Sequence, residues 1–296
     1  MDEKAMGFNE GQLKRTGFAE AFTPELKSQM EQGLLVIQHN FKKEYDGDQV
    51  TATLHLKKSA TSDYYFLNKF ELELQKKGQA EAVKQTFYQT KKPEPAEESS
   101  EQKQKVENKY TLKEGYNLLA GRPVFKNLVS NEGQEYQAWV KMNFKNVYDS
   151  GNHELKQYNT NYGFQLENVL AKYAIKELAN EQYKKSLVDS LHRGNLQKAT
   201  FVEKEGREER LYISPNITLG ALNVYDANKQ RIPTDVLVEK NYIGKELAEQ
   251  LKERISQQQK PEQTQKQEPL AQTQKASQKL KNDEPVKKQS RKQKVK

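Results

Sequence analysis

Leu187-Val-Asp-Ser-Leu-His-Arg-Gly194-Asn-Leu-Gln-Lys-Ala-Thr-Phe201 reads as a short amphipathic helix, a stop, and the start of a strand. Leu187 and Leu191 are one turn apart, and Gly194 follows three residues later, where a left-handed C-cap belongs. Asn180 is placed to cap the helix start. Ala199-Thr-Phe201-Val, the turn Glu205-Gly206 and Leu211-Tyr-Ile213 then give apolar alternation broken by a glycine turn, which is a hairpin pattern. Leu26, Met30 and Gly33 repeat the helix-and-stop spacing, and Phe41, Asp46-Gly47 and Leu54-His-Leu56 repeat the hairpin with longer loops. The string Leu67-Asn-Lys-Phe-Glu71 matches Leu222-Asn-Val-Tyr-Asp226 in order and type, as a third strand would. Leu118 with Gly121 opens a weaker third copy, and Asn146-Val-Tyr-Asp149 resembles the Asn223–Asp226 string. Helix-Gly-hairpin is also a common motif, so both duplication and coincidence stay open. The fold class expected is α+β: repeated helix-Gly-hairpin units making small antiparallel sheets with packed helices, followed by a disordered basic tail.

Over 296 residues, 34% hydrophobic content and a mean hydropathy of -1.05 leave too little apolar surface to pack the whole chain. The chain has no cysteine, which excludes disulfides and thiolate metal sites and fits a reducing cytoplasm. No basic segment followed by an apolar run opens the chain, and Leu34-Leu-Val-Ile37 is among the longest aliphatic runs, so neither a signal peptide nor a membrane span is expected. From Lys252 onward there are 13 Lys or Arg against 5 Asp or Glu, which leaves 36 against 36 before it out of totals of 49 and 41. Attraction to a polyanion through net charge is therefore a property of the tail.

Along the chain, residues 1–90 are expected to form an N-terminal α+β domain. Thr23-Pro24 opens its repeat helix, and Phe18 and Phe22 stand one helical turn apart before it. Gln79 to Tyr88 is compatible with a short helix. Residues 91–108, with Pro93, Pro95 and alternating Lys and Glu, read as a linker. A second α+β domain is expected over 109–239, starting with the capping box Thr111-x-x-Glu114. In it, Trp139 and the alternate positions Val140, Met142 and Phe144 mark a strand serving two faces. Leu166, Val169, Leu170 and Tyr173 mark a helix that Ile175 and Leu178 continue or follow with another. An amphipathic helix is expected at 240–256, where Ile243, Leu247, Leu251 and Ile255 step by four, to dock on the body or to pair with a partner. Residues 257–296, with eleven glutamines among Lys, Pro, Ser and Thr, are expected to be disordered.

No run of residues marks a reaction. His39, His55, His153 and His192 are scattered outside any two-His helical spacing, Asp46-Gly-Asp48 lacks the remaining calcium ligands, and no glycine run cradles phosphate. A non-enzymatic protein without cofactor or metal is expected. Two aromatic clusters next to basic residues, Tyr64-Tyr-Phe66 and Tyr158 with Tyr162, suit stacking on bases, although strands carry aromatics for packing alone. The cations Lys287, Lys288, Arg291, Lys292, Lys294 and Lys296 suit phosphate contact by counterion release, and equally a solubilising tail.

The run Tyr110-Thr-Leu-Lys-Glu-Gly-Tyr-Asn-Leu-Leu-Ala-Gly-Arg122, then Gly133-Gln-Glu-Tyr-Gln-Ala-Trp139, Lys156-Gln-Tyr158, Asn161-Tyr-Gly163 and Asn223-Val-Tyr-Asp226, resembles a bacterial family, the domain of unknown function 3945. The likeness covers about residues 110–232. It implies a setting on conjugative and other mobile elements, beside DNA-processing proteins, and it supplies no catalytic residues. Gly115 and Phe125 depart from the family pattern, which has Ala and Asn there. The expected partners are DNA or RNA, through the tail, and, as the alternative, a DNA-processing protein that the chain engages as an interaction module.

Overall fold

The computed structural model describes residues 2–89, 109–130 and 132–259; the linker expected at 91–108 and residues 260–296 of the expected tail lie outside them. The described residues as far as Ser256 form one compact unit. It is an α+β structure of three small antiparallel sheets with packed helices.

The chain begins with α1 (Glu3–Arg15) and α2 (Pro24–Glu31). Thr23 caps α2, its Oγ1 accepting from Leu26 N–H at 3.3 Å, and Pro24 sits where no N–H partner is needed. A four-stranded meander follows: β1 (Val36–Tyr45), β2 (Asp48–Lys58), β3 (Tyr65–Gln75) and β4 (Val83–Tyr88). Val50, Ala52, Leu54 and Leu56 of β2 point inward at alternate positions. On β3 the alternation slips between Leu67 and Phe70, because the register with β2 shifts by one residue between His55 and Leu56, so both Leu67 and Phe70 face the core. Gln79 to Tyr88 is thus not a helix: β4 pairs with β3 from Lys69 to Leu74. The start of β3 extends past β4, and two amides of α1 complete its bonding. Tyr65 N–H donates to Asn9 Oδ1 (2.9 Å), Leu67 N–H donates to Gln12 Oε1 (3.1 Å), and Gln12 Nε2 donates to Tyr65 O (2.9 Å).

After the undescribed connection, α3 (Leu112–Leu119) leads into β5 (Val124–Val129), β6 (Glu135–Val147) and β7 (His153–Asn159). The capping box is formed, with Glu114 N–H donating to Thr111 Oγ1 and Thr111 N–H donating to Glu114 Oε2. Helix α3 lies close on the first sheet: a Cβ at Gly115 would come within 2.6 Å of Leu72 Cδ1. Leu112, Tyr116, Leu118 and Leu119 share one hydrophobic core with Phe70, Leu72 and Phe87. The packing therefore does not divide at 91–108, where the sequence places the domain boundary; it divides within β6. Ala138, Val140 and Met142 enter the first core while Trp139, on the opposite side of the pleat, enters a second.

That second core is closed by α4 (Leu166–Leu170), α5 (Glu181–His192), the meander β8 (Gln197–Val202), β9 (Glu208–Asn216) and β10 (Ala221–Tyr225), then α6 (Thr234–Glu239) and α7 (Lys245–Gln259). Helix α4 is shorter than expected. Tyr173 and Ile175 are extended instead, bridging Ile243 and Phe201. Of the two fates open to the 240–256 stripe, docking is the one observed: Leu247, Ala248 and Leu251 are buried, and Arg254 Nη1 donates to Leu219 O at 2.7 Å. Helices α2, α3 and α5 each end at a glycine with positive φ, Gly33 (+73°), Gly121 (+85°) and Gly194 (+77°), and in each case a strand begins three residues later.

Candidate nucleic-acid interface

The six tail cations Lys287, Lys288, Arg291, Lys292, Lys294 and Lys296 lie outside the described residues. Tyr158 and Tyr162 lie within them and are brought together. Tyr158 is the last residue but one of β7, opposite Trp139, and Tyr162 sits in the 3-10 turn Thr160–Tyr162 that Gly163, at φ +84°, terminates. The two rings meet edge to face at 4.8 Å. Tyr158 is half-buried against the second core, and burial raises the pKa of its hydroxyl. Tyr162 is 51% exposed.

Strand parity sets Lys156, already part of the sequence cluster, beside Lys141, which no motif marked. Lys156 precedes Tyr158 by two residues and therefore shares its face of the sheet, and Lys141 is its direct partner across β6 and β7. Like charges placed opposite each other repel. Lys141 is half-buried, burial lowers its pKa, and neither lysine forms an ion pair among the described residues. The signal in the sequence was the alternation itself: Trp139, Lys141 and Lys156, Tyr158 are the same-face positions of two adjacent strands. Tyr158, Lys141 and Lys156 on one sheet face, with Tyr162 in the turn beside them and Glu154 offsetting part of the Lys156 charge, suit contact with a base and its phosphate.

In the other aromatic cluster the three rings part company. Tyr65 is fully buried, its hydroxyl donating to Leu34 O at 2.7 Å and Met30 O at 3.3 Å. Tyr64 and Phe66 close over Phe8 of α1, with centroids 4.6 and 5.7 Å away. Asp46-Gly47 is a hairpin turn with φ of +57° and +87°, and Asp48 spends its carboxylate on Lys77 N–H and the Tyr116 hydroxyl. The four histidines are dispersed: His39 is buried on β1, His55 faces Glu71 at 3.0 Å, His153 meets Phe144, and His192 stacks on Phe125 at 4.7 Å. Among the described residues no three His, Asp or Glu side chains gather as a metal site would need, and no helix is long and apolar enough to cross a membrane.

The chain matches no protein-family model, no curated protein and no solved structure.

Proposed function

We propose that the chain is a non-enzymatic accessory protein that contacts nucleic acid, with the basic segment 257–296 as its main cationic arm. The observation that supports this is the distribution of charge: the whole surplus of 8 lies from Lys252 onward. Helix α7, which leads into that segment, packs on the second core through Leu247 and Leu251. Tyr158, Tyr162, Lys141 and Lys156 are read as an auxiliary contact with single strands. The setting on a mobile element, and with it the cytoplasm, rests on the resemblance of residues 110–232. The three segments from α2, α3 and α5 to the meanders that follow are read as copies of one unit, since the glycine-to-strand spacing is the same in all three.

Fluorescence anisotropy with duplex and single-stranded DNA, on the intact chain and on one lacking 257–296, tests the reading. Deletion should remove most affinity for both, because neutralising phosphates does not read sequence. The intact chain should weaken with a slope of log affinity against log salt of about 0.9 per duplex phosphate contacted. A truncated chain that retains weak single-strand binding with a shallow salt response would assign that part to the tyrosines. Undiminished, sequence-selective binding by the truncated chain would overturn the tail reading.

A second reading, an interaction module that engages a DNA-processing protein, is favoured by one surface. Leu34, Leu35 and Val36, 41%, 75% and 59% exposed, run into β1, an edge strand of the first sheet. Exposed apolar residues beside a sheet edge suit strand addition by a partner. A pull-down repeated after nuclease treatment separates the readings, since partners that survive nuclease belong to the module.

A further inference from the structure

The tip of the β1–β2 hairpin is pressed against α3, and the contact collects cations. Tyr45 stacks on Tyr116 with centroids 4.6 Å apart. Lys113 Nζ lies 4.1 Å from the Tyr45 centroid and 4.7 Å from that of Tyr116, Arg122 Cζ lies 4.9 Å from Tyr116, and Lys43 Nζ lies 5.8 Å from Tyr45. Lys229, from the turn after β10, reaches the same tip, donating to Asp46 O at 3.3 Å.

The carboxylates nearby offset part of this charge, and none of them pairs with Lys113 or Arg122. Glu20 pairs with Lys43 at 2.5 Å, Asp46 lies 3.8 Å from Lys229, and Asp48 accepts from Lys77 N–H and from the Tyr116 hydroxyl. Arg122 donates Nε to Gly194 O at 3.0 Å and Nη2 to Asn117 Oδ1 at 2.8 Å, both neutral acceptors. Lys113 forms no ion pair among the described residues, although it is half-buried and stands in the first turn of α3, at the positive end of the helix dipole. Burial lowers its pKa, and Arg122, Lys43 and Lys229 lower it further against Asp46 alone. Lys76 is likewise held down by burial and by Arg122, with Asp48 opposing. The tyrosine faces hold the ammonium in place without neutralising it. Lys113 and Arg122, partly out of water and each without an ion pair among the described residues, are preorganised for an anion with several oxygens, and Lys43 and Lys229 stand beside them with their own partners Glu20 and Asp46.

We propose that Lys113 and Arg122, flanked by Lys43 and Lys229, form a phosphate-binding site on the folded body. The same chemistry takes a free oligophosphate or consecutive phosphates of a nucleic-acid strand, and the site is independent of the basic tail. Its failure would leave the salt titration of the tail untouched.

The test is the thermal unfolding midpoint of the full chain with tripolyphosphate or a fifteen-residue oligothymidylate, against sodium chloride of equal ionic strength. Only a ligand that prefers the folded state raises the midpoint, so a segment that binds alike in folded and unfolded chains adds nothing. The wild type should gain a few degrees. Lys113→Met keeps the aliphatic stem on the tyrosines and should lose the gain, Lys229→Gln should lose part of it, and Lys185→Gln, an exposed residue of α5, should keep it. Because the ligand-induced rise is compared within each variant, a less stable Lys113→Met remains informative, and Lys229→Gln changes only an exposed turn. A rise with tripolyphosphate alone identifies a free oligophosphate as the ligand, and a rise with both identifies the shared phosphate chemistry of a strand. No rise with either ligand, or an equal rise in Lys113→Met, overturns the proposal.

Discussion

At Gly194 two demands coincide. The backbone has φ +77°, and a Cβ there would meet Pro123 O at 2.8 Å and Val124 Cγ2 at 2.9 Å, because the C-terminus of α5 abuts that of α3. Asn117 Nδ2 donates to Arg193 O at 2.7 Å and Arg122 Nε to Gly194 O, so carbonyls left over at the end of one helix are satisfied by residues at the end of the other. Gly194→Ala should therefore lose the left-handed cap and force the two helix ends apart, costing about 3 kcal/mol or more in urea unfolding. Gly151→Ala is the comparison: φ is +78° and nothing lies within 4 Å, so about 1–2 kcal/mol is expected. Equal losses would show that the close approach carries no energy. The stop at Gly194 was legible in the sequence, since a glycine three residues past Leu191 has a local meaning. Its neighbours were not, because Pro123 and Asn117 come from a segment some seventy residues earlier and no periodicity records that meeting.

Among the elements, β6 shows how far pattern alone reaches. Its two-faced character follows from alternation and was legible. That its two faces serve different cores was not, since this depends on what lies beyond each face. The N-terminal helix α1 escaped notice because its buried stripe is Ala5, Asn9 and Leu13, with glycine at 7 and 11. Asn9 is inside as a hydrogen-bonding partner for β3, which gives no hydrophobic signal. The stretch 79–88 misleads for the opposite reason: Ala, Glu, Lys and Gln favour helix, and pairing with β3 overrides the preference. One consequence for fragments follows. A chain of residues 109–259 alone would leave Leu112, Tyr116 and Leu119 without Leu72 and Phe87 to cover them. It should bind an apolar dye and melt over a broad range, whereas the full chain cleaved within 91–108 should keep its halves together on a sizing column. A dye-free fragment that melts sharply at the full-length midpoint would refute the shared core.

For the molecule as a whole, three histidines make stability depend on pH in one direction. His39, His55 and His192 are each lowered from the usual value near 6.5, in every case chiefly by burial. Glu25 and Ala21 O oppose at His39, Glu71 opposes and Lys69 adds at His55, and Glu167 and Asp189 oppose at His192. With the folded pKa below the unfolded one, the unfolded chain takes up protons first as pH falls. Stability is full above about 6.5 and is lost from there down through the lowered folded values. The urea midpoint should thus fall between pH 7.5 and 5.5, and His192→Phe, which keeps an aromatic ring against Phe125, should flatten part of that fall. A midpoint that rises on acidification would contradict the sign. The position of the only tryptophan adds an optical consequence. Trp139 sees Phe164 and His192 at 5.6 and 5.3 Å on one side of β6, while Val140 and Met142 occupy the other. Its emission is an observer stationed in one room of a two-room house: it reports the opening of the C-terminal core and is blind to a loosening confined to the N-terminal one, which tyrosine emission or far-ultraviolet dichroism would register instead.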